Sequence, residues 1–115
     1  MKNYDLEERT KKFSIKVIKL CNDLPSNIVN RKLIDQLVRS ATSIGANYRE
    51  ANETDTKKDF RNKIRISKKE AKETIYWLEL IFENNPNFKR EIFFLLDESK
   101  QLVKILASIY DKISV

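Results

Sequence analysis

Between Lys57 and Lys72, half of the residues are cationic. Lys57, Lys58, Arg61, Lys63, Arg65, Lys68, Lys69 and Lys72 stand against only Asp59 and Glu70. The whole chain carries a net charge of +6, so this segment accounts for all of it and leaves fifteen charges of each sign elsewhere. At about 100° per residue on a helix, Lys57, Arg61, Arg65, Lys68 and Lys72 fall along one side, with Lys58 and Lys69 just behind them. Like charges one turn apart repel, and solubility alone favours mixed signs. The chemistry open to such a band is neutralisation of a polyanion, and nucleic-acid phosphates are the commonest in a cytoplasm. No aromatic residue lies within the band, so stacking on bases and sequence reading are not indicated. A solvated lysine face, or an acidic protein partner, is the alternative.

A second group of polar residues lines the flank of the core stripe. Gln36, Ser40, Ser43, Asn47 and Glu50 share one side of a helix with Arg39 close by, and Asp59, Ile66, Glu70, Glu73 and Trp77 share one flank of the next. Two chemistries fit. One is a hydrogen-bonded network between helices or subunits, with Arg39 pairing a carboxylate. The other is a carboxylate metal or enzyme site on Glu50, Glu70 and Glu73, which lacks the Glu-x-x-His motifs of di-iron bundles.

The chain has no histidine, which removes the commonest general base, the commonest metal ligand and every Ser-His or Cys-His pair. A single glycine leaves no phosphate-cradling loop. An enzyme would have to work with carboxylates, lysines or tyrosines alone. The residues therefore read as a non-enzymatic protein with no catalytic residue, no metal and no cofactor, and Cys21 reads as a core thiol.

These groups need rigid elements to hold them. The 115 residues suit one domain, 1–115, and the scarcity of glycine and proline argues against a turn-rich β-fold. Leu6, Phe13, Val17, Leu20 and Leu24 form a first helical stripe ending before Pro25. Ser26 then caps a second helix, with the stripe Ile34, Leu37, Ala41, Ile44, Tyr48 and Ala51. After the turn formers of "NETDTKKD", Asp55 or Thr56 caps a third helix with the stripe Phe60, Ile64, Ser67, Ala71, Thr74, Leu78 and Ile81. "ENNPNF" is the next turn, and the fourth stripe is Phe88, Ile92, Leu95, Ser99, Leu102, Leu106, Ile109 and Ile113. Steps of three and four residues with short links predict an all-α fold, an antiparallel up-down four-helix bundle. No apolar run approaches a membrane span and the N-terminal "MKNYDLEERTKK" has no signal-peptide core, so a soluble cytoplasmic protein without membrane contact is expected.

Two features exceed what a bundle requires. Gly45 sits inside the second helix, where glycine costs about 1 kcal/mol relative to alanine. Its small neighbours mark a close helix approach or a gentle bend, in preference to a ligand site, and at a close crossing alanine would be tolerated and leucine would not. The runs "IYWLELIF" and "IFFLL" put large side chains on at least two helix faces, and the surplus Trp77, Leu80, Phe93 and Phe94 point to self-association.

"QLVRSATSIGANYREA" followed by "KDFRNKIRISKKEAKETIYWLELI" resembles the four-helix proteins of the 23S rRNA intervening-sequence protein family. Arg39, Ser40, Ser43, Ile44, Asn47, Glu50 and Ala51 sit where that family's second helix has them, and Phe60, Ser67, Glu70, Ala71, Glu73 and Leu78 fit its third. Tyr48 and Arg49 depart from the smaller or aliphatic pair usual there. The resemblance implies a bacterial up-down bundle that assembles into a ring-shaped homopentamer. It is also similar to the accessory proteins of diversity-generating retroelements, pentameric barrels that bind nucleic acid. Some family members are encoded inside rRNA intervening sequences, which implies contact with RNA. The sequence therefore predicts a non-enzymatic homo-oligomer that binds RNA through Lys57, Lys58, Arg61, Arg65, Lys68, Lys69 and Lys72. A protein-interaction scaffold is the other reading.

Overall fold

The three- and four-residue apolar steps place one buried stripe on each of four helices. The computed structural model describes residues 3–114: α1 (Asn3–Asp23), α2 (Ile28–Asn52), α3 (Lys57–Asn84) and α4 (Lys89–Lys112), with a 3-10 turn at Pro86–Phe88. The helices alternate in direction and form a rod of 45 × 22 × 19 Å. α2 and α3 share the most extensive interface, and the α1–α4 seam is the thinnest. Phe13, Val17, Leu37, Ile44, Tyr48, Ile64, Leu78, Ile81, Ile92, Leu102 and Leu106 are almost wholly removed from solvent. Each such large side chain contributes roughly 1.5–3 kcal/mol of transfer free energy. The fourth stripe begins one element earlier than its helix, since Phe88 lies in the 3-10 turn, and Ile113 follows the last helical residue.

Buried hydroxyls and alanines let α2 and α3 approach closely. The Ser67 hydroxyl donates to the Ile44 carbonyl oxygen at 2.7 Å, and the Thr74 and Ser40 hydroxyl oxygens lie 2.9 Å apart. Ala41 and Ala71 are fully buried beside them.

A polar clasp closes one end of the rod. Asn30 is fully buried and exchanges a reciprocal pair of amide bonds with Asn85, each at 2.9 Å. Its Nδ2 also donates to the Pro25 carbonyl at 2.8 Å, and its Oδ1 accepts from Asn84 Nδ2 at 2.9 Å. Asn85 in turn donates to the Ile81 carbonyl at the end of α3. The clasp ties the α1–α2 link to the α3–α4 link. It also sets where α2 begins, because the Asn30 backbone N–H donates to Asn27 Oδ1 at 2.9 Å. Asn27 is therefore the cap, correcting the expectation of Ser26, which stands one residue too early to reach that N–H. Thr56 caps α3 by accepting from the Asp59 N–H at 3.1 Å.

Gly45 marks the crossing of α1 over α2. A Cβ there would stand 2.8 Å from Thr10 Oγ1 and 3.1 Å from Thr10 Cβ. Thr10 is fully buried and its hydroxyl is held against the Leu6 and Glu7 carbonyls at 2.9 and 3.0 Å. Even the single methyl of alanine therefore meets a branched, bonded side chain, and the expectation that alanine is tolerated does not survive.

Two outcomes follow for stability in urea. Asn30→Ala should lose about 2–4 kcal/mol, since it leaves buried amide and carbonyl groups without partners; a loss below that of an ordinary cap, about 1 kcal/mol, would contradict the clasp. Gly45→Ala should lose about 1 kcal/mol in the parent and become neutral or stabilising in a Thr10→Ala background, where helix propensity acts alone. Equal effects in both backgrounds would refute the crossing.

Candidate nucleic-acid interface

The first half of α3 carries the band, and Thr56 fixes the turn from which its phase is counted. Lys57, Lys58, Arg65, Lys69 and Lys72 are exposed, while Arg61, Lys63 and Lys68 are partly covered. Of these eight cations, only Lys63 has a carboxylate within 4.0 Å among the described residues, pairing with Glu50 at 2.7 Å. Among the described residues, Arg9, Arg39 and Arg49 make the other ion pairs, all away from the band.

The end of α4 brings an aromatic ring to the band, correcting the expectation that it has none. The Arg61 guanidinium lies over the Tyr110 ring, 3.7 Å from its centroid, and Arg61 Nε donates to the Tyr110 carbonyl at 3.3 Å. Lys68 Nζ lies 4.8 Å from the same ring. The ring is thus engaged by the chain's own cations. Arg61 bridges α3 to the last turn of α4, where a cation complements the carbonyl end of the helix. Arg65 stands one turn on, with Nη2 donating to Asn62 Oδ1 at 3.0 Å.

The polar flank of α2 and α3 resolves into separate pieces. Arg39 reaches from α2 to Glu70 at 3.2 Å and Glu73 at 2.9 Å. The bond to Glu73 raises the Arg39 pKa, against partial desolvation and with help from the Glu70 charge. With its side chain half exposed, the pairing is worth no more than about 1 kcal/mol. Ser40 is buried against Thr74, whereas Ser43 and Asn47 bond only to carbonyls of their own helix. Glu50 is with Lys63 rather than with Glu70 and Glu73, so the three carboxylates do not converge. Among the described residues no three carboxylate or thiol groups cluster as a metal site. Trp77 packs against the core with its indole N–H covered and without an acceptor. Burial pushes the Cys21 thiol up to about 11, which keeps it protonated and a poor nucleophile.

Of the surplus apolar residues, Phe93 and Phe94 remain 45% and 54% exposed, and Trp77 and Leu80 are partly covered. Ile15, Ile18, Ile28, Val29 and Tyr76 are further exposed apolar side chains. No helix among the described residues is long and apolar enough to cross a membrane. Sequence reasoning missed Tyr110 as a neighbour of the band, since nothing in the local pattern of α4 signals it. Arginines at i and i+4 facing a tyrosine near the C-terminal end of an antiparallel helix were the one available cue.

The family model for the 23S rRNA-intervening sequence protein matches residues 2–108. The chain belongs to this family. A crystal structure of a protein of unknown function from the S23 ribosomal protein family of Bacteroides thetaiotaomicron is similar to it, with a TM-score of 0.84 and 34% sequence identity over 97% of this chain and 100% of that one. No curated protein matches the sequence. In this intervening-sequence family protein, the four-helix scaffold holds the two arginines of the band in unequal roles. Arg61→Glu should lower stability by about 1 kcal/mol by removing the stack and the bond to α4, while Arg65→Glu should stay within about 0.5 kcal/mol of the parent. Urea melts that rank the two equally would contradict this division.

Proposed function

We propose that the protein is a non-enzymatic, homo-oligomeric helical module of the cytoplasm that binds RNA through the cationic band of α3. One observation carries the reading: seven of the eight cations between Lys57 and Lys72 have no carboxylate within 4.0 Å among the described residues, although the chain has ample acid elsewhere. Held unpaired on one helix, they favour an external polyanion. From Lys57 to Lys72 the band runs about 22 Å along the axis, long enough to follow several successive phosphates of one strand. The family description, an rRNA-intervening sequence protein, agrees with RNA as the polyanion. The exposed Phe93 and Phe94, with Ile15 and Ile18, support assembly of several copies, and the resemblance makes a pentamer the expected number. Repetition of the band around an oligomer would let weak contacts add through avidity.

The test is a titration of generic single-stranded RNA and DNA at two salt concentrations, with light scattering on the same samples. Binding should weaken with salt at a log–log slope of about −0.7 per phosphate contact. Replacing the exposed Lys58, Lys69 and Lys72 together by glutamine should reduce the slope by about two units and weaken all sequences alike. The scattering mass should be several times the 13.6 kDa chain. No binding at low salt would leave the band to an acidic protein partner, and a monomer would overturn the assembly.

A further inference from the structure

The cations of the band are not equivalent. Arg61 and Arg65 line one surface groove of about 460 Å³ together with Lys58, Asp59, Asn62 and Tyr110. The lysines end in flexible ammonium groups, whereas Arg61 is held by the protein and Arg65 has one solvent-exposed bond that biases its orientation. Arg61 is stacked on Tyr110 and bonded through Nε, and Arg65 is bonded through Nη2 to Asn62. Those bonds leave both terminal nitrogens of Arg61, and most of the Arg65 fork, without acceptors among the described residues. Two planar guanidinium groups one helical turn apart line one groove, and such forks suit an oxyanion, which takes paired N–H bonds from them.

Resting on the RNA reading above, we infer that the Arg61–Arg65 groove is a preorganised seat for one internal phosphodiester of the bound strand, with Tyr110 as the positioning residue. The remaining lysines act as a diffuse field. The phosphate is internal because cations continue on both sides of the groove, Lys57 before it and Lys68, Lys69 and Lys72 beyond it, so a strand seated here runs on in both directions. Asp59, which also lines the groove, disfavours the second negative charge that a terminal phosphate would bring. Fixing the Arg61 guanidinium before the strand arrives removes side-chain entropy that a lysine loses on binding, and the Asn62 bond restricts Arg65 in part.

Charge-conserving substitutions separate a seat from a field. The probe is a short mixed-sequence single-stranded RNA, with and without a 5′-phosphate, titrated by fluorescence anisotropy against the parent, Arg65→Lys, Tyr110→Phe and Tyr110→Ala. Arg65→Lys keeps the charge but loses the fork, and should bind roughly five- to tenfold more weakly with an unchanged salt slope. Tyr110→Ala keeps the backbone carbonyl but removes the ring on which Arg61 stacks, and should weaken binding to a similar or smaller degree, while Tyr110→Phe, which keeps the ring, should match the parent. The 5′-phosphate should make no difference. Arg65 is exposed, so its lysine variant reports on the seat even if Tyr110→Ala proves unstable. If the parent binds and the glutamine triple variant is weakened while Arg65→Lys equals the parent, the seat is wrong and the field alone stands. A strong preference for the 5′-phosphate would overturn the internal phosphodiester, and a parent that binds no RNA would overturn seat and function together.

Discussion

The Ser67 hydroxyl stands 2.7 Å from the Ile44 carbonyl, a contact possible only where two helix backbones nearly touch. This approach of α3 to α2 governs much of what surrounds it. It requires small side chains, and Ala41, Ala71, Ser40 and Thr74 supply them. It fixes the axial register of the two helices, and so decides that Arg39 meets Glu70 and Glu73 while Glu50 meets Lys63. A bulkier residue at position 67 would force the helices apart and undo these pairings together. The hydroxyls cost little here, because each buried oxygen is within hydrogen-bonding distance of a polar partner.

The same register sorts charge on α3. The flank toward α2 carries carboxylates that are matched by Arg39, and the flank toward α4 carries cations that, among the described residues, have no carboxylate within 4.0 Å. A free helix with so many like charges would be poorly stable. This one is held instead by its apolar stripe, which is buried from Ile64 to Ile81. Tertiary packing thus tolerates a charge distribution that local propensity disfavours.

Much of the scaffold was legible in the residues. Steps of three and four between Leu37, Ala41, Ile44 and Tyr48, or between Ile64, Ser67, Ala71 and Thr74, define a face without reference to any other helix. What could not be read depends on which faces meet. Gly45 announced a close approach, but Thr10 as its neighbour follows only from the pairing of α1 with α2. Asn30 and Asn85 are 55 positions apart and each reads locally as a turn former, so their mutual burial is invisible before the links are folded. Ser26 and Asn27 are comparable caps by type, and the buried Asn30 chooses between them. The band was visible as charge, whereas the difference between Arg61 and its lysine neighbours depends on where α4 ends.

The asparagine clasp inverts the usual tolerance of a helical bundle to changes in length. Links between helices ordinarily absorb inserted residues, because their backbone lies in solvent and bonds to little. Here the links after α1 and α3 are sewn to one another by side chains counted from the adjoining helices, Asn27 to Asn30 and Ile81 to Asn85. A residue added to either would move an amide away from its partner and leave a polar group stranded in the core. Among the described residues, the link from Glu53 to Thr56 bonds only to its adjoining helices, through its caps and the Thr54 hydroxyl on the Ala51 carbonyl at 2.7 Å. An inserted residue is therefore best tolerated at the end of the rod where α3 and its cations begin, beside the proposed ligand.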